Sequence, residues 1–305
     1  MSSCQCLLCQ SNQIESYLKS DRVLRCSSCG IVFLAPEQVP AGLGDYYQNN
    51  AFYADNASNP VLVKSMIRAA HFYLKTIIKY LKPGSDKLFI DVGSNYGVLV
   101  EEASRLGFGA IGLEKNTFLV EAGQKRGLTI STQDLAELST TQAPLVITVM
   151  HVLEHLSDPR AFVEEVYKKL APAGLLAVAV PNIDSYLAKK DGLSWRYIAL
   201  EHLTYFSPKV LKRLLSQAGF EILEIRSDDT NLSGLSIKKL LHYLVGPAIA
   251  RDRFQMKNWQ GRSPAVPTIS VSWPRRFLKY ILIMAIKILQ REDFILIIGQ
   301  KSVRE

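Results

Sequence analysis

Between Lys87 and Asp228 the chain alternates short apolar runs with longer amphipathic stretches, and few architectures tolerate that order. KLFIDVG, GAIGLEKN, LTI, PLVITVM, LLAVAVPN and FEILEIRSDD have the length and composition of buried strands. The stretches between them carry helix punctuation. Asp158-Pro159 and Ser207-Pro208 supply an N-cap followed by proline at the first helical position, and Gly107 supplies a stop. A further helix is predicted from Val61 to Leu81, closed by Lys82-Pro83-Gly84, and DFILIIGQK reads as a last strand far downstream. Strands linked through helices run parallel in a sheet covered on both faces. No internal repeat is visible.

The chain's 305 residues allow one large domain or two ordinary ones, and 48% hydrophobic with 21% charged residues excludes a disordered or fibrous protein. No apolar run has the length of a membrane span, and MSSCQCLLCQ lacks the basic start and apolar stretch of a signal peptide. The expected location is cytoplasmic.

All five cysteines fall within the first 29 residues. Cys6-Leu7-Leu8-Cys9 and Cys26-Ser27-Ser28-Cys29 form two CxxC pairs separated by 16 residues, which fits a tetrahedral Cys4 zinc ribbon. The intervening segment alternates as a hairpin would. Four thiolates close the coordination shell, so the zinc is expected to be structural. Cys4 is a spare thiol or a substitute for Cys6.

Ligands of such sheets bind at the carboxyl ends of the strands, and acids stand at three of those ends. Asp91 opens the turn Asp91-Val-Gly93-Ser94-Asn-Tyr-Gly97, Glu114 closes the next strand 21 residues after Gly93, and Asp134 follows the third. Glycines let the backbone approach a ligand, and a carboxylate at position 114 can accept both hydroxyls of a ribose. The GxxxG spacing is not the dinucleotide GxGxxG, and an acid at the turn is unwelcome beside a pyrophosphate. S-adenosylmethionine (SAM), with an amine and a ribose but no phosphate, suits the set.

On these residues the chain resembles a class I SAM-dependent methyltransferase. DVGSNYG matches the first motif, with Asn95 where a middle glycine is common, VMHVLEHLSDP the fourth and LAPAGLLAVAVPN the fifth-strand region. The resemblance implies a Rossmann-like α/β fold with a seven-stranded sheet. It places Asp91 and Gly93 at the methionine part of SAM, Glu114 at the ribose and Asp134 at the adenine, with Ser94, Gly97 and Met150 in the same set. The zinc-ribbon front, the GSN turn, HVLEHL and EHLTYFSP together resemble the zinc-containing deoxysugar C-methyltransferases and related enzymes of bacterial polysaccharide pathways. That implies Glu201 and His202 at the substrate, His202 as general base, and His155 assisting. His151 and His155 stand one turn apart if their segment is helical, and a metal-binding alternative joins His151, Glu154 and His155.

The predicted organisation is a ribbon over 1–35, an aromatic linker over 36–60 and a methyltransferase domain over 61–305. Within that domain 231–291 is a basic helical insertion before the last strand. The net charge of +8 is concentrated there. Eleven basic residues face one acid, Asp252, which gives this segment +10 and leaves the rest at −2. Its second half combines a wide apolar face with a basic stripe (Arg276, Lys279, Lys287), and Trp259 and Trp273 suit a headgroup level. Two readings stay open for it: a helical lid over the acceptor pocket, and peripheral docking on an anionic membrane or a lipid-linked sugar. Other functional readings are an RNA methyltransferase, a lipid-quinone methyltransferase and a non-catalytic interaction module. The ribbon's Lys19, Arg22 and Arg25 against Glu15 and Asp21 give little charge to grip nucleic acid.

Overall fold

A computed structural model describes residues 4–43, 60–82, 87–228 and 293–303. The basic insertion expected over 231–291 and most of the aromatic linker lie outside the described residues.

The chain opens with three short strands, β1 (Ile14–Tyr17), β2 (Ser20–Cys26) and β3 (Val32–Leu34). Helix α1 (Pro60–Ile78) ends three residues short of the predicted boundary. Then follow β4 (Leu88–Val92), α2 (Val98–Arg105), β5 (Gly109–Leu113), α3 (Thr117–Lys125), β6 (Ile130–Ser131), β7 (Val146–Met150), α4 (Pro159–Lys169) and β8 (Leu175–Pro181). The last elements are α5 (Tyr186–Asp191), β9 (Thr204–Tyr205), α6 (Pro208–Gln217), β10 (Phe220–Asp228) and β11 (Phe294–Lys301). The caps read from sequence are formed: Asp158 accepts the N–H of Ala161 at 2.9 Å, and Ser207 that of Val210 at 3.3 Å.

Seven strands form one sheet in the order β10-β11-β8-β7-β4-β5-β6. It is not wholly parallel as the alternation alone implied: β11 runs antiparallel to both β8 and β10. Side chains alternate across the sheet with period two. Ile90, Ile147, Val178 and Ile297 face α4 and α6, whereas Phe89, Val146, Ala177 and Leu296 face α1 and α2.

The segment read as a ribbon shares a sheet with the larger region. β3 pairs with β9 (Val32↔Tyr205, Phe33↔Thr204), so the four-stranded sheet β1-β2-β3-β9 is shared between the two regions. Cys6, Cys26, Ile31 and Phe33 are buried in the same core as α6 and one face of the large sheet. The pairing was not legible locally because β9 is two residues long and its partner stands far away in sequence.

At the opposite end, Phe294 pairs with Pro181 and with Asp228. The segment between β10 and β11 therefore leaves and rejoins the sheet at the carboxyl end of β8. Among the described residues no helix is long and apolar enough to cross a membrane.

Candidate active site

A cavity of about 430 Å³ opens at the carboxyl ends of β4, β5, β6 and β7. Gly93, Asn95, Glu114, Lys115, Asn116, Asp134, His151 and His155 contribute to its wall, and Leu119, Leu135, Leu156 and Phe162 make part of it apolar. Gly93 adopts φ +71°, and a Cβ there would stand 2.2 Å from Val152 Cγ2. The turn after β4 thus needs glycine both for its backbone and for the close approach of a cavity-lining side chain.

The three strand-end acids do different things. Glu114 reaches back across the turn: Oε2 accepts the N–H of Asn95 at 2.8 Å and Oε1 that of Asn116 at 2.9 Å. It fixes the loop and still lines the cavity. Asp134 lines the cavity beside Lys115, whose Nζ lies 2.8 Å from Oδ1. Asp91 is not part of the cavity wall: it is buried and accepts the Thr148 hydroxyl at 2.6 Å. Burial, reinforced by the charge of Glu114, pushes its carboxyl up to about 7 against the effect of that hydrogen bond.

Of the other residues expected at the cofactor, Ser94, Gly97 and Met150 lie outside the cavity wall. Ser94 is buried and abuts Gly112, where a Cβ would come 2.6 Å from Ser94 Oγ. Gly97, at φ +72°, caps α2, and a Cβ would meet Ile130 and Leu128. Met150 packs into the core on the α1 side. Lys115, Asn116, Gln133 and Leu135 were missed. Their signal was proximity in sequence, since each lies within two positions of Glu114 or Asp134.

A histidine cluster borders the cavity. His151 is not on a helical turn with His155, as a helical segment required. It takes a left-handed backbone (φ +59°), and only Leu153–His155 forms a single 3-10 turn. The His151 ring is 35% exposed, with Nδ1 3.7 Å from Glu154 Oε1 and Nε2 3.4 Å from the Tyr73 hydroxyl. His155 lines the cavity and its Nδ1 meets the Glu201 carbonyl at 2.8 Å. His202 lies behind it, its ring centroid 4.7 Å from that of His155, with Nδ1 at 2.8 Å from the Tyr197 carbonyl. Burial, and then the neighbouring His155, push His202 down to about 4, so its ring is neutral at physiological pH. The group expected to meet substrate is thus not in the cavity wall, whereas the one expected to assist is. Glu201 enters through its backbone carbonyl. Burial opposes the charge on Glu154, but the surrounding histidines, His151 first, hold its carboxyl below the ordinary range.

At the ribbon, Sγ of Cys6 lies 3.5 Å from Sγ of Cys29, and Sγ of Cys9 lies 3.6 Å from Sγ of Cys26. Thiolates 2.3 Å from a tetrahedral zinc stand about 3.8 Å apart, so the donor set fits that ion closely. Cys4 stands outside the group of four.

A methyltransferase-domain family model matches residues 66–225, more than half of the chain. A ubiquinone biosynthesis O-methyltransferase of Psychrobacter arcticus is 29% identical over 151 residues, 44% of this chain and 59% of that protein. A protein of the same name from Cupriavidus pinatubonensis is 25% identical over 155 residues, 46% of this chain and 62% of its own length. The chain thus spans about three fifths of these curated relatives. Magnesium protoporphyrin IX methyltransferase of Synechocystis superposes with a TM-score of 0.51 at 12% identity, over 85% of this chain and 98% of that one. At that identity the likeness concerns the fold.

Proposed function

Since the chain belongs to the methyltransferase-domain family, we propose that it transfers a methyl group from SAM to a hydroxyl of a small-molecule acceptor. One observation carries this reading: a cavity at the strand ends lined by Glu114 and Asp134, whose one lining lysine among the described residues is paired with Asp134. Such a wall repels phosphate and suits an amine and hydroxyls. When bound, SAM would supply a methyl on a cationic sulfur. By the family resemblance Glu114 would hold the ribose. Each of its oxygens accepts one backbone N–H and retains a second acceptor direction for a hydroxyl. Asp134 would hold the adenine end. His151, open to the cavity and backed by the Glu154 carboxylate, is the group placed to take the acceptor's proton.

The names of the relatives support a phenolic hydroxyl of the kind found in quinone synthesis. A sugar or glycan-pathway acceptor, the first expectation from sequence, has no support in those names. It stands as the second reading, favoured by the ribbon strand pairing directly beside Glu201 and His202. The ribbon would hold a structural zinc through Cys6, Cys9, Cys26 and Cys29. The basic segment would dock on an anionic membrane or a lipid-linked acceptor.

Release of S-adenosylhomocysteine with a catechol, and separately with a nucleotide sugar, tests the acceptor. Turnover with the catechol is expected, and turnover with the sugar alone would select the second reading. His151→Ala should leave SAM affinity intact while turnover falls about a hundredfold or more. An equal loss of both would remove His151 from the chemistry.

A further inference from the structure

Beside the cavity, one carboxylate and two imidazoles meet, with Glu154 and His202 buried and His155 half-buried in the cavity wall. Glu154 is 1% exposed, and neither of its carboxylate oxygens has a hydrogen-bond partner among the described residues. A buried carboxylate of this kind is costly unless a cation answers it. The nearest histidine nitrogen of His151, at 3.7 Å, is beyond hydrogen-bond reach.

The other two histidines are oriented by backbone carbonyls. His155 meets the carbonyl of Glu201 through Nδ1, and His202 that of Tyr197, both at 2.8 Å. A carbonyl can only accept, so each Nδ1 carries the proton. In the neutral rings the lone pair is therefore on Nε2. This is how a protein prepares a histidine to bind a metal: the outer nitrogen donates to a carbonyl and fixes the tautomer. One donor atom from each of Glu154, His155 and His202 lies within 4.8 Å of the other two. Donors around a small divalent ion stand about 3–3.5 Å apart, so modest side-chain rotation closes the set. The backbone is tied as well, since the N–H of Leu203 donates to the carbonyl of Glu154 at 2.8 Å and locks together the two segments that carry the ligands.

We propose that Glu154, His155 and His202 form a binding site for a divalent first-row transition metal, separate from the cysteine site. Two imidazoles and one carboxylate favour zinc or iron(II) over magnesium or calcium, which prefer oxygen. His155 lines the cavity, so an open coordination position on its side would face a bound acceptor. The site stands on the geometry of the three side chains, while its service to an acceptor oxygen rests on the methyl-transfer reading.

The test titrates the as-isolated full-length chain with Co²⁺, read by calorimetry and by visible absorption. The expected result is one equivalent bound without a thiolate charge-transfer band, which distinguishes it from cobalt at the cysteines. Glu154→Gln, which keeps the side-chain shape, and His202→Ala should each weaken this uptake by at least about tenfold to a hundredfold, the span that even outer-shell changes produce. Circular dichroism reports whether each variant folds, and Glu154→Gln decides alone if His202→Ala does not. Uptake only with the thiolate band, or uptake unchanged in the folded Glu154→Gln variant, overturns the site and leaves Glu154 answered by protonated histidines. SAM affinity is measured on the same samples. Cobalt uptake without SAM binding would keep the site and remove the methyl-transfer reading, whereas SAM binding without uptake would do the reverse.

Discussion

Asp91 and Glu114 end neighbouring parallel strands, yet their carboxylates meet opposite fates, and each fate is measurable. Asp91 is sealed beneath the turn with its group pushed up to about 7, whereas an unfolded chain would titrate it near 3.9. The fold therefore holds a proton that the unfolded chain releases between those values. The associated stability is fully present below the unfolded value and is lost as pH rises through about 7. Thermal melts of the ligand-free protein should show wild type falling relative to Asp91→Asn as pH climbs from about 4 to 7. A constant gap between the two would mean that Asp91 is charged throughout. Glu114 is engaged by two backbone N–H groups and still borders the cavity. Glu114→Ala should weaken SAM by about 1.5–3 kcal/mol, the range for hydrogen bonds to a charged group. Unchanged affinity by calorimetry would remove Glu114 from the ribose. The sequence placed both acids at strand ends, because alternation and turn chemistry are local signals. It could not say which one faced outward, since that depends on Thr148 from a neighbouring strand.

At the scale of elements, most strands and helices of the large sheet were readable, because each carries its own periodicity and caps. α5 was not read, and β9 could not be. Its two residues form a strand only because β3 lies beside them, and that dependence shows how the ribbon bears on the site. β3 holds β9 through the pairs Val32↔Tyr205 and Phe33↔Thr204, and the N–H of Leu34 also reaches the carbonyl of Leu203. His202 immediately precedes this strand. On the proposal that the four cysteines hold zinc, wild type should carry about one zinc per chain by elemental analysis and Cys26→Ser should lose it, since three thiolates no longer complete the tetrahedral set. The substitution should also lower the melting temperature and reduce turnover, although no cysteine lines the cavity. Full activity in a zinc-depleted variant would show that the ribbon is dispensable for positioning the Glu201–His202 segment.

For the whole molecule, charge and topology point the same way. The sequence separates a near-neutral body from a strongly basic stretch, and the structure puts the two attachment points of that stretch, Asp228 and Phe294, at the carboxyl end of β8. The ring of Phe294 lies 4.7 Å from that of His151 and 5.1 Å from that of Tyr197, so the stretch rejoins the fold next to the histidine cluster. Flotation of the full-length chain with anionic vesicles should show binding that falls as salt rises, and neutral vesicles should bind little. Absence of binding to either would assign the stretch to shaping the acceptor pocket. The pattern of charge was legible from composition alone. Its proximity to the histidines required the register of the reversed strand.

The shared sheet also sets a schedule for the newborn chain. Phe33 leaves the ribosome long before Thr204, its partner 171 positions later. At ordinary translation speeds of about 5–20 residues per second, that interval is roughly ten to thirty seconds. Throughout it, Ile31 and Phe33, fully buried in the finished protein, lack the later-made core residues such as Phe206, Val210 and Leu211 that cover them. The zinc proposed for the four cysteines, if captured early, would keep the hairpin in shape while it waits, so on that proposal metal supply during synthesis should govern how much chain reaches the folded state, even where the mature protein tolerates a chelator.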